Sequence, residues 1–542
     1  MSDPTAGPRP WWETRPFVAA LILLSALPLL YPRFPPLVDL PGHMGRYRVQ
    51  LDLDTSPWLD RFWGFEWAAI GNLGVDLLLI PLAPVFGLEL AVKLIVLAIP
   101  PLTVAGFLWV AREVHGRIPP TALFALPFAY SHPFMFGFVN YALSIALAFL
   151  AFGLWLRLAR QGRFRLRAIL FVPISIIVFF AHTFGWGVLG LLCFSAEAVR
   201  QHDRGTGWLR SGINAACHAA VMALPLLFML AWRSDIEGGI TGFWFKWDLK
   251  WKFLLGALRD RDRLFDIASV AVPLALIVAV APFRRFAYSR NLAFSALVLL
   301  AGFVLLPYMV FSSAYADMRL IPYVIAVMLL AIRFRAEPDR RIGTMLAVLG
   351  LTFFLVRLAG NTISLATAAQ DQRAKLAALD HVPMGAAVLS LVGDGCRTGW
   401  ALSRNSHIGA MTIVRRHGFS NDQWVMEGIN LLRLTYRDAG RFSSDPTQIL
   451  NNRNCPGGRL WSIDRVLPLV PRSGFDYLWL VDTERFDVAL LPPSTLVWRG
   501  SGSVLYRLNP AAGPPPPATR RTASAPARST PLPARTPTAA AD

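Results

Sequence analysis

The sequence predicts a polytopic α-helical membrane protein of about eleven spans carrying a small C-terminal extracytoplasmic α/β domain, and three observations lead there. Apolar residues make up 54% of the 542 and charged ones only 16%, with a mean hydropathy of +0.45. A water-soluble chain of that composition would expose too much apolar surface. Strongly apolar stretches recur from Phe17 to about Leu358, and past about Ala369 the composition shifts to short β-like runs among polar helical stretches.

The expected spans lie near 17–31, 91–111, 121–136, 140–156, 168–183, 185–199, 212–231, 265–282, 291–311, 320–334 and 342–358. The connectors 112–120, 157–167, 200–211, 283–290 and 333–341 are all rich in arginine, so they and residues 1–16 are assigned to the cytoplasm. The first span follows Arg9 and Arg15 and has no small-x-small site before Tyr31-Pro32-Arg33, so it is expected to stay uncleaved. The net charge of +19 is dispersed at helix ends, where it serves topology and lipid headgroups rather than nucleic acid.

The opposite face carries the loops 32–90 and 232–264. Loop 32–90 is acidic on balance, and its apolar run 75–87, broken by Pro81 and Pro84, is expected to lie along or dip into the outer surface. As a span it would reverse the sides of all later basic loops. Loop 232–264 mixes Trp232, Trp244, Trp247 and Trp251 with Lys246, Lys250 and Lys252, a pattern of interfacial anchors and snorkelling lysines. The transmembrane region is bounded at 17–358 and the outer α/β domain at 359–509, with strands expected at 386–392, Tyr477–Val481 and Ser503–Leu508. The Pro/Ala/Thr/Arg-rich segment 510–542 is expected to be disordered. Cys193 and Cys217 are expected as small core residues, whereas an extracytoplasmic Cys396 and Cys455 leave a disulfide open.

The residues that can carry chemistry gather on the outer side. Asp39, in Val38-Asp39-Leu40-Pro41-Gly42-His43-Met44-Gly45-Arg46, follows the first span closely; a partly dehydrated carboxylate there serves either as a general base or as a helix N-cap ahead of Pro41. His43 lies one helical turn on, where it can assist a phosphate, share a divalent metal with Asp39 or make a plain structural contact. Arg319 heads the tenth span and can grip phosphate oxygens, or pair with Asp317 to anchor a helix end. His132, Asn140 and His182 stand at the outer ends of apolar stretches, at one depth.

These residues resemble the GT-C superfamily of membrane glycosyltransferases. The Asp39-Leu40-Pro41-Gly42-His43 wording is similar to the Asp-x-Pro-x-His variants of bacterial members. The loop helix with Asn72 and Asp76, the arginine-terminated second span and the His132-Pro133 and Gly137-Phe138-Val139-Asn140 stretches extend the likeness loosely over residues 1–358. The resemblance implies that Asp39 is the catalytic base, and that a polyprenyl-phosphate sugar is the donor. It also implies a lipid, envelope glycan or protein acceptor, and a site on the periplasmic side of a bacterial inner membrane. His43, Arg46, Asp76, His132, Asn140, His182, Asp317 and Arg319 are then the candidates for holding donor phosphate or substrate. No Asp-Glu or Asp-Asp pair follows the first span, so no cofactor is assigned and a divalent metal stays open. The rival classes are a transporter or flippase of lipid-linked sugars, against which stands the lack of an internal repeat, and a non-catalytic envelope assembly protein.

Overall fold

The computed structural model describes residues 10–233, 240–336, 340–395, 399–425, 430–455, 461–471 and 473–509. Cys396 and the proline-rich segment 510–542, with the disorder expected of it, lie outside the described residues.

Among the described residues, five helices are long and apolar enough to cross a membrane: Leu88–His115, Val139–Arg160, Phe164–Ala181, Arg263–Val280 and the helix beginning at Arg340. A bent pair, Trp208–Met222 with Pro225–Ala231 at 69°, makes a sixth if it is one span. Arg15–Leu24, Gly74–Phe86 and Arg290–Leu305 are shorter apolar helices. This is the multi-pass helical architecture expected from composition. One stretch departs from expectation: 121–136 is no single helix but a buried 3-10 run, Pro120–Tyr130, followed by the five-residue helix His132–Phe136. Prolines at 120, 127 and 133 explain it, since each lacks the amide that a continuous α-helix needs. Arg340–Leu376, in turn, continues well past the expected membrane boundary at 358 and leads directly into the α/β domain.

The arginine-rich connectors meet at one end of the bundle. Arg117 pairs with Glu13, Arg160 with Glu113 and Arg290 with Asp203, and the strand Phe286–Tyr288 runs antiparallel to Ile332–Phe334. The C-terminal domain sits at the other end with the first long loop, to which it is joined by the antiparallel pair Trp63–Phe65 and Leu432–Leu434.

The domain is built on a mixed sheet in the order Phe419–Ser420, Ala387–Asp394, Tyr477–Val481, Ser503–Leu508, Ser494–Gly500. Its first three strands are parallel and its last two antiparallel to their neighbours, while Ile449–Asn451 pairs with the far end of Ala387–Asp394. Ala387–Val392 and Tyr477–Val481 are buried throughout, as the nearly continuous apolar runs of parallel strands require. Trp63 stacks on Phe419 with ring centres 5.4 Å apart, so the first loop and the domain share one core. Cys455 is disulfide-bonded, and Cys193 is a buried free thiol. Cys217, expected in the core, is exposed on the outward side of Trp208–Ala219.

Candidate active site

Asp39 is the residue before the helix Leu40–Asp52, which Pro41 helps to start because its fixed φ suits a first helical turn. Its carboxylate caps none of that helix's amides, so the N-cap alternative is not what the side chain does. The backbone is held instead from the side: Asp39 N–H donates to the carbonyl of Phe136 at 2.9 Å. Gly137 (φ +106°) packs so tightly there that a Cβ would lie 2.7 Å from the Asp39 nitrogen. The residue is only 8% exposed. Burial, reinforced by the nearby charges of Asp445 and Asp422, pushes its pKa up to about 7, while His407 and Arg319 pull the other way.

The neighbours that matter most come from the C-terminal domain and were not found in the sequence. His407 places Nε2 3.8 Å from Asp39 Oδ1 and Nδ1 2.6 Å from Asp422 Oδ1. The second oxygen of Asp422 accepts the Ala410 amide at 3.1 Å. Burial opposes a charged imidazole, but Asp422, Asp445 and Asp39 outweigh it, and the pKa of His407 is pushed up to about 10. Trp424 lies against both His407 and His43, with ring centres 4.4 and 5.2 Å apart. This close docking explains two glycines of the Asp39 helix: a Cβ on Gly42 would stand 2.6 Å from the Trp424 ring, and one on Gly45 2.4 Å from Gln423 Nε2. Gln423 Nε2 also donates to the Gly42 carbonyl at 3.0 Å.

Arg319 completes the cluster. Its guanidinium lies over Phe138 at 4.6 Å and Phe184 at 4.9 Å, and it is near enough to Asp39 for each charge to act on the other. One nitrogen donates to Ser313 Oγ at 3.2 Å, whereas Nε and Nη1 are buried without a hydrogen-bond partner. The Asp317–Arg319 pairing weighed from the sequence does not form, because Asp317 binds Lys250 at 2.9 Å. Lys250 itself corrects another expectation. It does not snorkel to lipid but is buried, donating also to the carbonyls of Phe303 and Leu306.

The other suspected residues separate. Arg46, Asp76 and Asn140 form a buried network of their own. Arg46 pairs with Asp76 at 2.8 Å, and Asn140 donates to Asp76 at 3.1 Å and accepts from the Val75 amide at 2.6 Å. His182 lies beside Tyr141, 5.7 Å between ring centres, and close enough to Arg319 to feel its charge. Its Nδ1 accepts from the Phe184 amide at 3.1 Å, capping the next helix. His132 is buried against Phe136 with neither ring nitrogen hydrogen-bonded. His43 stacks on Tyr47 and meets Trp424 at a tilt, and burial together with Arg46 and His407 pushes its pKa down.

Among the described residues, His407, Asp422 and Asp445 are the grouping of three donors that could hold a metal ion, with candidate ligand atoms within 4.8 Å of one another. His43, the sequence candidate, is not in it. The 2.6 Å separation of His407 Nδ1 and Asp422 Oδ1 is too short for two ligands of one ion, which stand about 3.3 Å apart around a tetrahedral metal. It is the distance of a charge-assisted hydrogen bond.

No protein-family model and no curated protein matches the chain. Among solved structures it is similar to ArnT from Cupriavidus metallidurans, bound to undecaprenyl phosphate (12% identity, TM-score 0.45) and in the apo state (12%, TM-score 0.46), each likeness covering 92% of this chain and 98% of that one. At that identity and a TM-score below 0.5, nothing about donor, acceptor or catalytic residues passes from those proteins to this one.

Proposed function

We propose that the protein is an inverting glycosyltransferase that moves a sugar from a polyprenyl-phosphate donor to a lipid, envelope glycan or protein acceptor, on the periplasmic side of a bacterial inner membrane. The observation that carries this reading is a buried carboxyl group that caps no helix amide, Asp39, within electrostatic reach of a buried guanidinium, Arg319, two of whose donor nitrogens have no hydrogen-bond partner. A base with a pKa of about 7 is well matched to taking a proton from a hydroxyl at neutral pH. Free guanidinium donors suit the charge that grows on a departing phosphate.

The step follows from those two groups. The acceptor oxygen forms a bond to the anomeric carbon as the bond to the phosphate oxygen breaks. The electron pair leaves with the phosphate, toward Arg319, and the hydroxyl proton passes to Asp39. One displacement inverts the anomeric centre. Loop 32–90 and the C-terminal domain stand at the end opposite the arginine-rich connectors, which is the outer end if those connectors follow the positive-inside rule. His182 and His43 border the same cluster and are assigned to substrate contact. Arg46, Asp76 and Asn140 are assigned to fixing the loop that carries the base.

The test is Asp39→Asn expressed in the source cell. Envelope glycan modification and release of polyprenyl phosphate from the donor should cease while expression and membrane insertion persist. Retained transfer would exclude Asp39 as base. Transport of lipid-linked sugar without transfer would favour the flippase class.

A further inference from the structure

We infer that His407, oriented by Asp422, is a positioning residue of the active centre: the C-terminal domain supplies the imidazolium that holds Asp39 in its working charge state. This rests on the function proposed above for Asp39 and adds a component that sequence reasoning did not reach.

The geometry is that of a relay of alternating charge. Asp422 is fixed at both oxygens, by His407 Nδ1 at 2.6 Å and by the Ala410 amide at 3.1 Å, so it sets the orientation of the ring. Gly409 lies beside it, where a Cβ would stand 2.7 Å from the Ser390 side chain and 3.2 Å from Asp422 Oδ2. With Nδ1 committed to Asp422, the remaining nitrogen is the one nearest Asp39, at 3.8 Å. That gap is too long for a direct hydrogen bond, so in the resting protein the interaction is electrostatic. Trp424 closes the side of the ring that faces His43.

The balance of charge gives His407 its role. Asp39 faces Asp445 and Asp422, which oppose its ionisation, and His407 and Arg319, which favour it. His43 and Arg46 stand on the same helix, and His407 acts on His43 in turn. With His407 neutral or absent, a buried carboxyl beside two other carboxylates would hold its proton at neutral pH, and no base would be present. Arg319 alone would have to serve both Asp39 and the phosphate. The domain is thereby a working part of the site.

The experiment reads Asp39 directly in the full-length protein. Dicyclohexylcarbodiimide reacts with protonated buried carboxyl groups, and mass spectrometry of the peptide containing Asp39 gives labelling against pH. Wild type should lose labelling around pH 7. In His407→Gln and His407→Ala that midpoint should move upward by about 1–3 pH units, and His407→Lys should return it toward wild type. The rising limb of kcat/KM should move with it, with the KM for donor unchanged. An unmoved midpoint in a folded Gln or Ala variant overturns the inference, whatever the activity. If transfer survives Asp39→Asn while the midpoint moves, the charge relay stands and the assignment of Asp39 as the base fails.

Discussion

Lys250 Nζ binds Asp317 Oδ2 at 2.9 Å, and this contact removes from Arg319 the carboxylate that its sequence neighbourhood offers. Both partners are buried. Breaking one side of such a pair leaves an uncompensated charge and costs about 3–5 kcal/mol, whereas replacing both by apolar groups costs far less. Lys250→Met should therefore lower the unfolding temperature in detergent sharply, and Lys250→Met with Asp317→Leu should recover most of the loss. Equal destabilisation by the single and the double variant would contradict the pairing.

Arg319 is expected to act through its forked donors and not through charge alone. Arg319→Ala should reduce kcat by about 10²–10³, the usual loss when a preorganised donor to transition-state charge is removed. Arg319→Lys should recover only part of it, because an ammonium cannot bind two phosphate oxygens in one plane. Single-turnover release of polyprenyl phosphate measures this, and a Lys variant as active as wild type would show that the fork is unused.

The Asn140 amide serves three neighbours, accepting from the Val75 N–H and donating to Asp76 and the Asn72 carbonyl. Asn140→Ala leaves those buried groups unpaired, at about 1–3 kcal/mol. Thermal unfolding should show that loss with the KM for donor nearly unchanged. A raised KM with normal stability would assign Asn140 to the substrate.

The Asp39 carboxyl titrates near pH 7 in the folded protein against an ordinary value of 3.8. The folded state thus binds a proton more tightly than the unfolded chain does. The contribution of this group to stability is full below pH 3.8 and is lost as pH rises toward and through 7. Activity has the opposite sign, since only the ionised carboxylate accepts a proton. Asp39→Asn should accordingly stabilise the protein more at pH 8 than at pH 5, by differential scanning fluorimetry. An equal effect at both would mean that the folded pKa is not raised.

The multi-pass helical class and the two strands Tyr477–Val481 and Ser503–Leu508 were legible because hydrophobic period and run length are local properties. The placement of Asp39 just past the first span was legible directly, and the structure shows it buried there. The run 121–136 misled because apolar composition conceals the missing amides of Pro120, Pro127 and Pro133. Lys250 misled because nothing local announces that Asp317 will meet it. His407, Asp422 and Asp445 were out of reach for the same reason: their chemistry exists only once the domain docks on the Asp39 helix. One faint signal was present in Ser420-Asn421-Asp422-Gln423, a polar run at the carboxyl end of the parallel strand Phe419–Ser420. The carboxyl ends of parallel strands are where open α/β sheets place functional groups.

The most direct test of the account is single-turnover transfer by purified wild type and Asp39→Asn with a radiolabelled polyprenyl-phosphate sugar across pH 5 to 9. Wild-type transfer is expected to rise through about pH 7, and the Asn variant to bind donor with unchanged affinity but transfer nothing at any pH. Transfer by the Asn variant with the wild-type pH profile would contradict it.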